Sequence, residues 1–123
     1  SKNELAQALL IETIGQLEAY FKGDRQAFNL PLDISLGTKF QQQVWLALQD
    51  IGYGETISYA TLAQNVGNPK GFRAVANANS KNPFSIIMPC HRVIASDGRL
   101  GGYTGGLDKK TYLLALEGVT CKT

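Results

Sequence analysis

Glycine and proline cut this chain into short pieces, and that punctuation constrains its fold more than any other feature. Leu10, Ile14, Leu17 and Phe21 recur at helical spacing, and Lys22-Gly23 stops the run. Residues 24–37 contain Pro31 and Gly37 and read as a connector. Thr38-Lys39-Phe40-Gln41 matches a capping box, in which Thr38 and Gln41 satisfy each other's backbone donors. The helix it opens carries Phe40, Val44, Leu48 and Ile51 on one face and ends at Gly52, with Trp45 one position off the stripe and expected in the core. Two shorter helices are predicted beyond it. One spans residues 58–67 with Leu62, Ala63 and Val66 apolar; the other runs from about Lys70 to Asn79 through Phe72, Val75 and Ala76.

Those two helices, joined across Gly67-Asn68-Pro69, have the pattern of a helix-turn-helix. The small residues from Ala74 to Ser80 would let the second helix press close against a flat or grooved partner, while Arg73 and Lys81 supply charge. Asn82-Pro83 breaks this helix before an extended apolar run, Phe84 to Met88. Arg92 to Ala95 reads as a second short strand, with Asp97-Gly98 as a turn signal. Residues 99–106 hold four glycines and suit a loop closing over a ligand, because backbone can approach where no Cβ intervenes. No Lys-Ser/Thr follows them in the register of a phosphate loop. Asp108 is expected to cap a last helix that buries Leu113, Leu114 and Leu116 and stops at Gly118. The architecture is therefore a small, mostly helical α/β domain with a short strand or hairpin near Cys90.

At 123 residues the chain is long enough for a core without staples. No apolar run approaches the ~20 residues of a membrane span, and no signal peptide opens the chain. Ser1 stands where an initiator methionine would, so the chain reads as trimmed or as a segment of something longer. Cys90 and Cys121 do not form a disulfide framework, which fits a reducing, intracellular setting. Two cysteines and one histidine are a poor zinc set, and no metal or organic cofactor is implied. Net charge is only +2, but residues 68–99 carry Lys70, Arg73, Lys81, Arg92 and Arg99 against Asp97 alone. That excess surrounds the Cys-His element and suits an anionic partner, although a solvated basic surface has the same composition.

Pro89-Cys90-His91-Arg92-Val93 joins a candidate nucleophile to the only histidine in the chain. A free cysteine has a pKa near ~8.5 and is mostly protonated at neutral pH unless its surroundings intervene. An adjacent imidazole, with Arg92 adding positive field, is how such help is written in sequence. Taken alone, the dipeptide also fits a small buried thiol beside a surface histidine.

The ordered set of motifs resembles the C-terminal, catalytic domain of the O6-alkylguanine-DNA alkyltransferases. It runs through Leu17–Gly23, Leu30-Pro31-Leu32, Gly37–Gln41, Val44-Trp45, Gly54–Tyr59 and Gly67-Asn68-Pro69. It continues with Arg73-Ala74-Val75, Asn82-Pro83, Pro89–Val93, Gly102-Tyr103, Gly105-Gly106-Leu107, Lys110, Leu113-Leu114 and Glu117-Gly118. The resemblance implies that residues 1–37 are a connecting helix and linker, and 38–123 the catalytic, DNA-binding domain.

It further implies a single-turnover repair reaction, in which Cys90 takes an alkyl group from guanine O6 and is consumed. His91 would be the base, acting through a water, and Glu117 would orient it. Tyr59 would donate to guanine N3 and help rotate the nucleotide out of the duplex. The backbone at Cys90 and Val93 would read the guanine amino group, Thr104 would face O6, and Tyr103 would wall the pocket. Arg73 would fill the gap in the stack, with Ala74 and Ala76 allowing close minor-groove contact and Lys81 adding charge. Asn82 would tie the recognition helix to the active-site strand. The implied partner is double-stranded DNA containing O6-alkylguanine, met by a monomer in the cytoplasm or nucleus, without a membrane or an obligate protein partner. Three other classes fit parts of the chain. An alkyltransferase-like sensor would lack Cys90, a helix-turn-helix regulator would not need it, and a cysteine hydrolase would turn over repeatedly.

Overall fold

The computed structural model describes residues 1–103 and 105–121, and the chain divides into two compact units, the second beginning at Asp33. In the first unit, helix α1 (Lys2–Phe21) opens on a capping box between Ser1 and Glu4. Gly23, at φ +83°, then provides the left-handed residue that ends it. The buried residues of α1 are Gln16 and Tyr20. Gln16 pairs with the Asn29 backbone in both directions, Nε2 donating to O at 3.1 Å and Oε1 accepting from N at 2.9 Å. Tyr20 meets the rings of Phe21 and Phe28 at 5.4 and 5.5 Å. The expected apolar stripe is therefore not the buried face, since Leu10, Ile14 and Phe21 are 60%, 46% and 40% exposed. Periodicity located the helix; the returning segment around Phe28 and Asn29 chose a different side of it.

The second unit starts from helix α2 (Lys39–Leu48), whose Thr38–Gln41 capping box forms as expected at 3.1 and 2.9 Å. Val44, Leu48 and Ile51 are buried and Phe40 half-buried. Trp45 is also core, its Nε1 donating to the carbonyl of Ala78 at 2.8 Å. Helices α3 (Tyr59–Asn65) and α4 (Phe72–Ser80) form the helix-turn-helix pair. Its turn contains Gly67 at φ +77°, and Asn68 N–H returns to the Ala63 carbonyl at 2.9 Å. Leu62, Ala63, Val75 and Ala78 bury the facing sides, with Met88, Val93, Leu113 and Leu114 completing the core. Phe72, expected on the apolar face of α4, is 52% exposed instead.

The short strand expected near Cys90 is present, paired in parallel rather than as a hairpin. Strand β1 (Ile57–Ser58) pairs in parallel with β2 (Val93–Ile94), in register Ile57 to Val93 and Ser58 to Ile94. The apolar run 84–88 is not extended but folds into a turn, with Met88 N–H donating to the Phe84 carbonyl at 2.8 Å and Ile86 at φ +77°. A strand and a turn can share the same apolar composition, and composition alone does not separate them. Asp97-Gly98 does turn the chain, closing between Ala95 N–H and the Arg99 carbonyl at 2.9 Å. Helix α5 (Leu107–Leu116) begins after Gly106, so Asp108 lies in its first turn rather than at its cap. A carboxylate there still complements the helix dipole. Among the described residues no helix is long and apolar enough to cross a membrane.

Candidate active site

Cys90 opens a single turn of 3-10 helix (Cys90–Arg92) directly before β2, and it is held from both sides. Its N–H donates to the Met88 carbonyl at 2.7 Å, and its own carbonyl accepts from Val93 N–H and, at 3.5 Å, from Asn79 Nδ2. Asn82 fixes the preceding turn, donating to the Met88 carbonyl at 2.7 Å and accepting from Phe84 N–H at 2.9 Å. Asn82 thus sits just past the C-terminus of α4 and binds the segment leading to Cys90. Cys90 lines a cavity of about 380 Å³ with Tyr59, Ala76, Asn79, Ser80, Gly102 and Tyr103. That volume is ample for one nucleobase, within the usual range for small-molecule sites.

The two residues that follow the cysteine enter a buried charge cluster. His91 Nε2 meets Glu117 Oε2 at 2.7 Å, and both side chains are inaccessible to solvent. Arg92 grips the same carboxylate with Nε at 2.8 Å and Nη2 at 3.0 Å, while its Nη1 donates to the Ile51 carbonyl at 2.7 Å. Gly54 N–H adds a fourth donor to Glu117 at 3.1 Å. A carboxylate so held stays ionised, and Arg92 neutralises it. Burial pushes the His91 pKa below its ordinary value, against the pull of Glu117. With Glu117 accepting at Nε2, the neutral ring carries its proton there and leaves Nδ1 as a free acceptor. Nδ1 is buried without a hydrogen-bond partner among the described residues.

Arg92 therefore does not serve the thiol, contrary to the expectation from sequence. Lys110 does, and that role was missed. It is completely buried on α5, its Nζ donating to the carbonyls of Val93 at 2.6 Å, of Gly102 at 3.0 Å and of Leu100. Desolvation lowers its pKa to about 8. Burial raises the Cys90 thiol above its ordinary range, opposed by hydrogen bonding from Asn82, Ser85 and Tyr103 and by the charge of Lys110. The sequence held one clue. Lys110 precedes the buried Leu113 and Leu114 by three and four residues, on the face a helix turns inward.

The remaining candidates distribute around this centre. Tyr59, the first residue of α3, donates to the Gly102 carbonyl at 3.2 Å and stacks under Lys110 Nζ at 5.8 Å. Tyr103 walls the cavity, and burial lifts its hydroxyl pKa to about 12. Val93 is fully buried, its N–H bonded to Cys90 and its carbonyl to Lys110. Arg73 and Ala74 are exposed near the start of α4, Lys81 is exposed just past its end, and Ala76 reaches the cavity. The basic patch is thinner than its composition suggests, because Arg92 is buried and Arg99 pairs with Asp97 at 3.5 Å. Thr104 lies outside the described residues. Among them no group of three or more metal-ligating side chains gathers.

Fold and site together define a protein that presents a buried thiol, followed in the chain by a buried histidine, to a nucleobase-sized cavity beside a helix-turn-helix. Residues 39–119 match the family described as "6-O-methylguanine DNA methyltransferase, DNA binding domain". A methylated-DNA–protein-cysteine methyltransferase from Methanosarcina acetivorans is 54% identical over 107 residues, covering 87% of this chain and 68% of that protein. Mycobacterium tuberculosis OGT in complex with DNA matches with a TM-score of 0.84 and 50% identity, over 87% of this chain and 65% of that one. Schizosaccharomyces pombe Atl1, solved with damaged DNA containing O6-carboxymethylguanine, matches with a TM-score of 0.59 and 32% identity, over 67% and 78%. The chain spans about two thirds of the length of these methyltransferases. It belongs to the O6-methylguanine-DNA methyltransferase family.

Proposed function

We propose that this protein repairs DNA by moving an alkyl group from guanine O6 to Cys90, once per molecule. The Cys90 sulfur attacks the alkyl carbon, a C–S bond forms, the C–O6 bond breaks, and guanine leaves with the electron pair. The thiol proton passes to His91 Nδ1 through a water. Glu117 stabilises the resulting imidazolium, and Tyr59 donates to guanine N3 so that the base departs without full negative charge. A thioether does not hydrolyse under these conditions, so the protein ends alkylated.

The observation that carries this reading is a cysteine that lines a nucleobase-sized cavity and is followed in the chain by a buried His91 paired with Glu117. The thiol's raised pKa supports it, because a sulfur protonated at neutral pH needs a base at the moment of reaction. The helix-turn-helix would bring a duplex to the cavity. Arg73 would enter the stack vacated by the flipped base, with Ala74 and Ala76 close to the groove and Lys81 adding charge. Residues 38–123 would form the catalytic, DNA-binding part, acting as a monomer without an obligate protein partner. Affinity for DNA should be largely electrostatic and fall with salt.

The test is an intact mass after incubation with a duplex carrying one O6-methylguanine, followed by peptide mapping. Gain of one methylene on Cys90, at one equivalent and no more, is expected. Lesion-selective binding with unchanged mass would replace repair by a sensor role, and repeated turnover would indicate a hydrolase.

A further inference from the structure

Tyr53 takes no part in the chemistry above, yet it contacts Arg92 and the residue before Glu117. It sits half-buried in the turn between α2 and β1. The Arg92 guanidinium lies over its ring, with Cζ 5.9 Å from the centroid. Its hydroxyl donates to the Leu116 carbonyl, at the end of α5, at 3.1 Å. The neighbours of Tyr53 act on the same ion pair. The Ile51 carbonyl accepts from Arg92 Nη1 at 2.7 Å, and Gly54 N–H donates to Glu117 Oε1 at 3.1 Å. Gly54 adopts φ +78°, and a Cβ there would fall 3.2 Å from the Glu117 carbonyl. The turn is fixed at both ends, since Ile51 is buried and Ile57 pairs with Val93, the residue after Arg92.

Glu117 is held at both oxygens. Its Oε1 accepts from Arg92 Nε and Gly54 N–H, and its Oε2 from Arg92 Nη2 or meets His91 Nε2. A two-pronged guanidinium–carboxylate bond is directional, so a tilt of the guanidinium is passed to the carboxylate. The plane of that carboxylate decides whether Oε2 points at the imidazole. An aromatic face against a guanidinium restrains its plane and attracts its charge, most strongly where water is excluded. Arg92 is buried, so the Tyr53 ring acts where its effect is large.

We propose that Tyr53 is a positioning residue for alkyl transfer: its ring and hydroxyl hold Arg92 and the end of α5 in the geometry that turns Glu117 toward His91. The proposal rests on the alkyl-transfer reading above and adds to it a residue that never meets the substrate. It has a consequence for pH. Burial holds the His91 pKa down, Glu117 pulls it up, and Arg92 and Lys110 push it down again. Cys90, next in the chain, has a raised pKa and adds no charge at neutral pH. Loosening Arg92 leaves Glu117 less neutralised, so the His91 pKa rises. The neutral imidazole that serves as base is then lost at a higher pH.

The experiment uses the single histidine of the chain, whose ring resonances are assigned without ambiguity. Its pKa is read by NMR titration in wild type, Tyr53→Phe and Tyr53→Leu. Alkylation of Cys90 by saturating O6-methylguanine duplex is followed by mass over the same pH range. Tyr53→Leu should raise the His91 pKa by about 0.5 or more and move the acid limb of the transfer rate up with it. Transfer near neutral pH should fall roughly three- to tenfold, the effect of losing one desolvated cation–π contact. Tyr53→Phe keeps the ring and should keep the wild-type pKa and acid limb. If Tyr53→Leu lacks a folded spectrum, Tyr53→Met takes its place. A His91 pKa unmoved by loss of the ring, or a slower rate with the acid limb in place, would overturn the positioning role and leave alkyl transfer standing. So would a Tyr53→Phe variant whose pKa moves as far as that of Tyr53→Leu. A wild type that takes no alkyl group would overturn the alkyl-transfer reading, while the titration still decides whether Tyr53 governs His91.

Discussion

Replacing Glu117 by Gln tests the buried cluster most directly. The carboxylate accepts from His91 at 2.7 Å, from Arg92 at 2.8 and 3.0 Å, and from Gly54 N–H at 3.1 Å. Four donors converge on two oxygens. Gln keeps the shape but offers one acceptor and one NH2, so a donor must face a donor on either the Arg92 or the His91 side. Charge-assisted bonds contribute about 1.5–3 kcal/mol each, yet summing four overstates the loss, because desolvation of the ions already offsets much of it. The governing quantity is the Arg92 guanidinium, only 7% accessible and left without its counter-charge. Removing one partner of a buried pair costs about 3–5 kcal/mol. That is a large share of the ~5–15 kcal/mol by which a domain is stable. Guanidinium titration should show the loss in Glu117→Gln. Arg92→Met on that background should recover part of it, with a coupling above about 1 kcal/mol. Alkyl transfer to a free nucleoside should fall by roughly 10²–10⁴-fold, the range for loss of an oriented base. A cost below 1 kcal/mol, or strictly additive singles, would refute the account of this cluster.

Three further outcomes follow from other sites. His91 has a folded pKa below its ordinary value, so below about pH 6.5 the unfolded chain binds the extra proton first and stability should fall as pH falls through that region. Denaturation midpoints from pH 7.5 to 5 would measure this, and His91→Phe should flatten the curve. Lys110→Met should raise the Cys90 thiol pKa further, shifting the pH profile of iodoacetamide labelling upward in a Cys121→Ser background; an unmoved profile would remove Lys110 from the site's electrostatics. Gly37→Ala should lower stability by about 1–3 kcal/mol, because the new Cβ would fall 2.3 Å from the Trp45 ring, and thermal unfolding would show it.

Much of the fold was legible before any coordinates. The Thr38–Gln41 box, the glycine stops and the helix-turn-helix are local events, set by backbone capping and φ preferences within a few residues. The tie from Asn82 to the Met88 carbonyl is local in the same sense, spanning six residues. What the sequence misassigned was non-local. The α1 stripe, the exposed Phe72 and the turn at 84–88 all depend on which distant segment arrives to cover a given face. Arg92 was expected to serve the thiol and Lys110 was given no role, for the same reason. Arg92 is next to His91 in sequence but turns to a carboxylate 25 residues away, and Lys110 reaches back 17 residues to the carbonyl of Val93. Chain proximity pointed to Cys90 and His91 as the candidate nucleophile and base. Only the tertiary structure decided which charges serve them, because buried charges settle wherever desolvation can be offset by a partner.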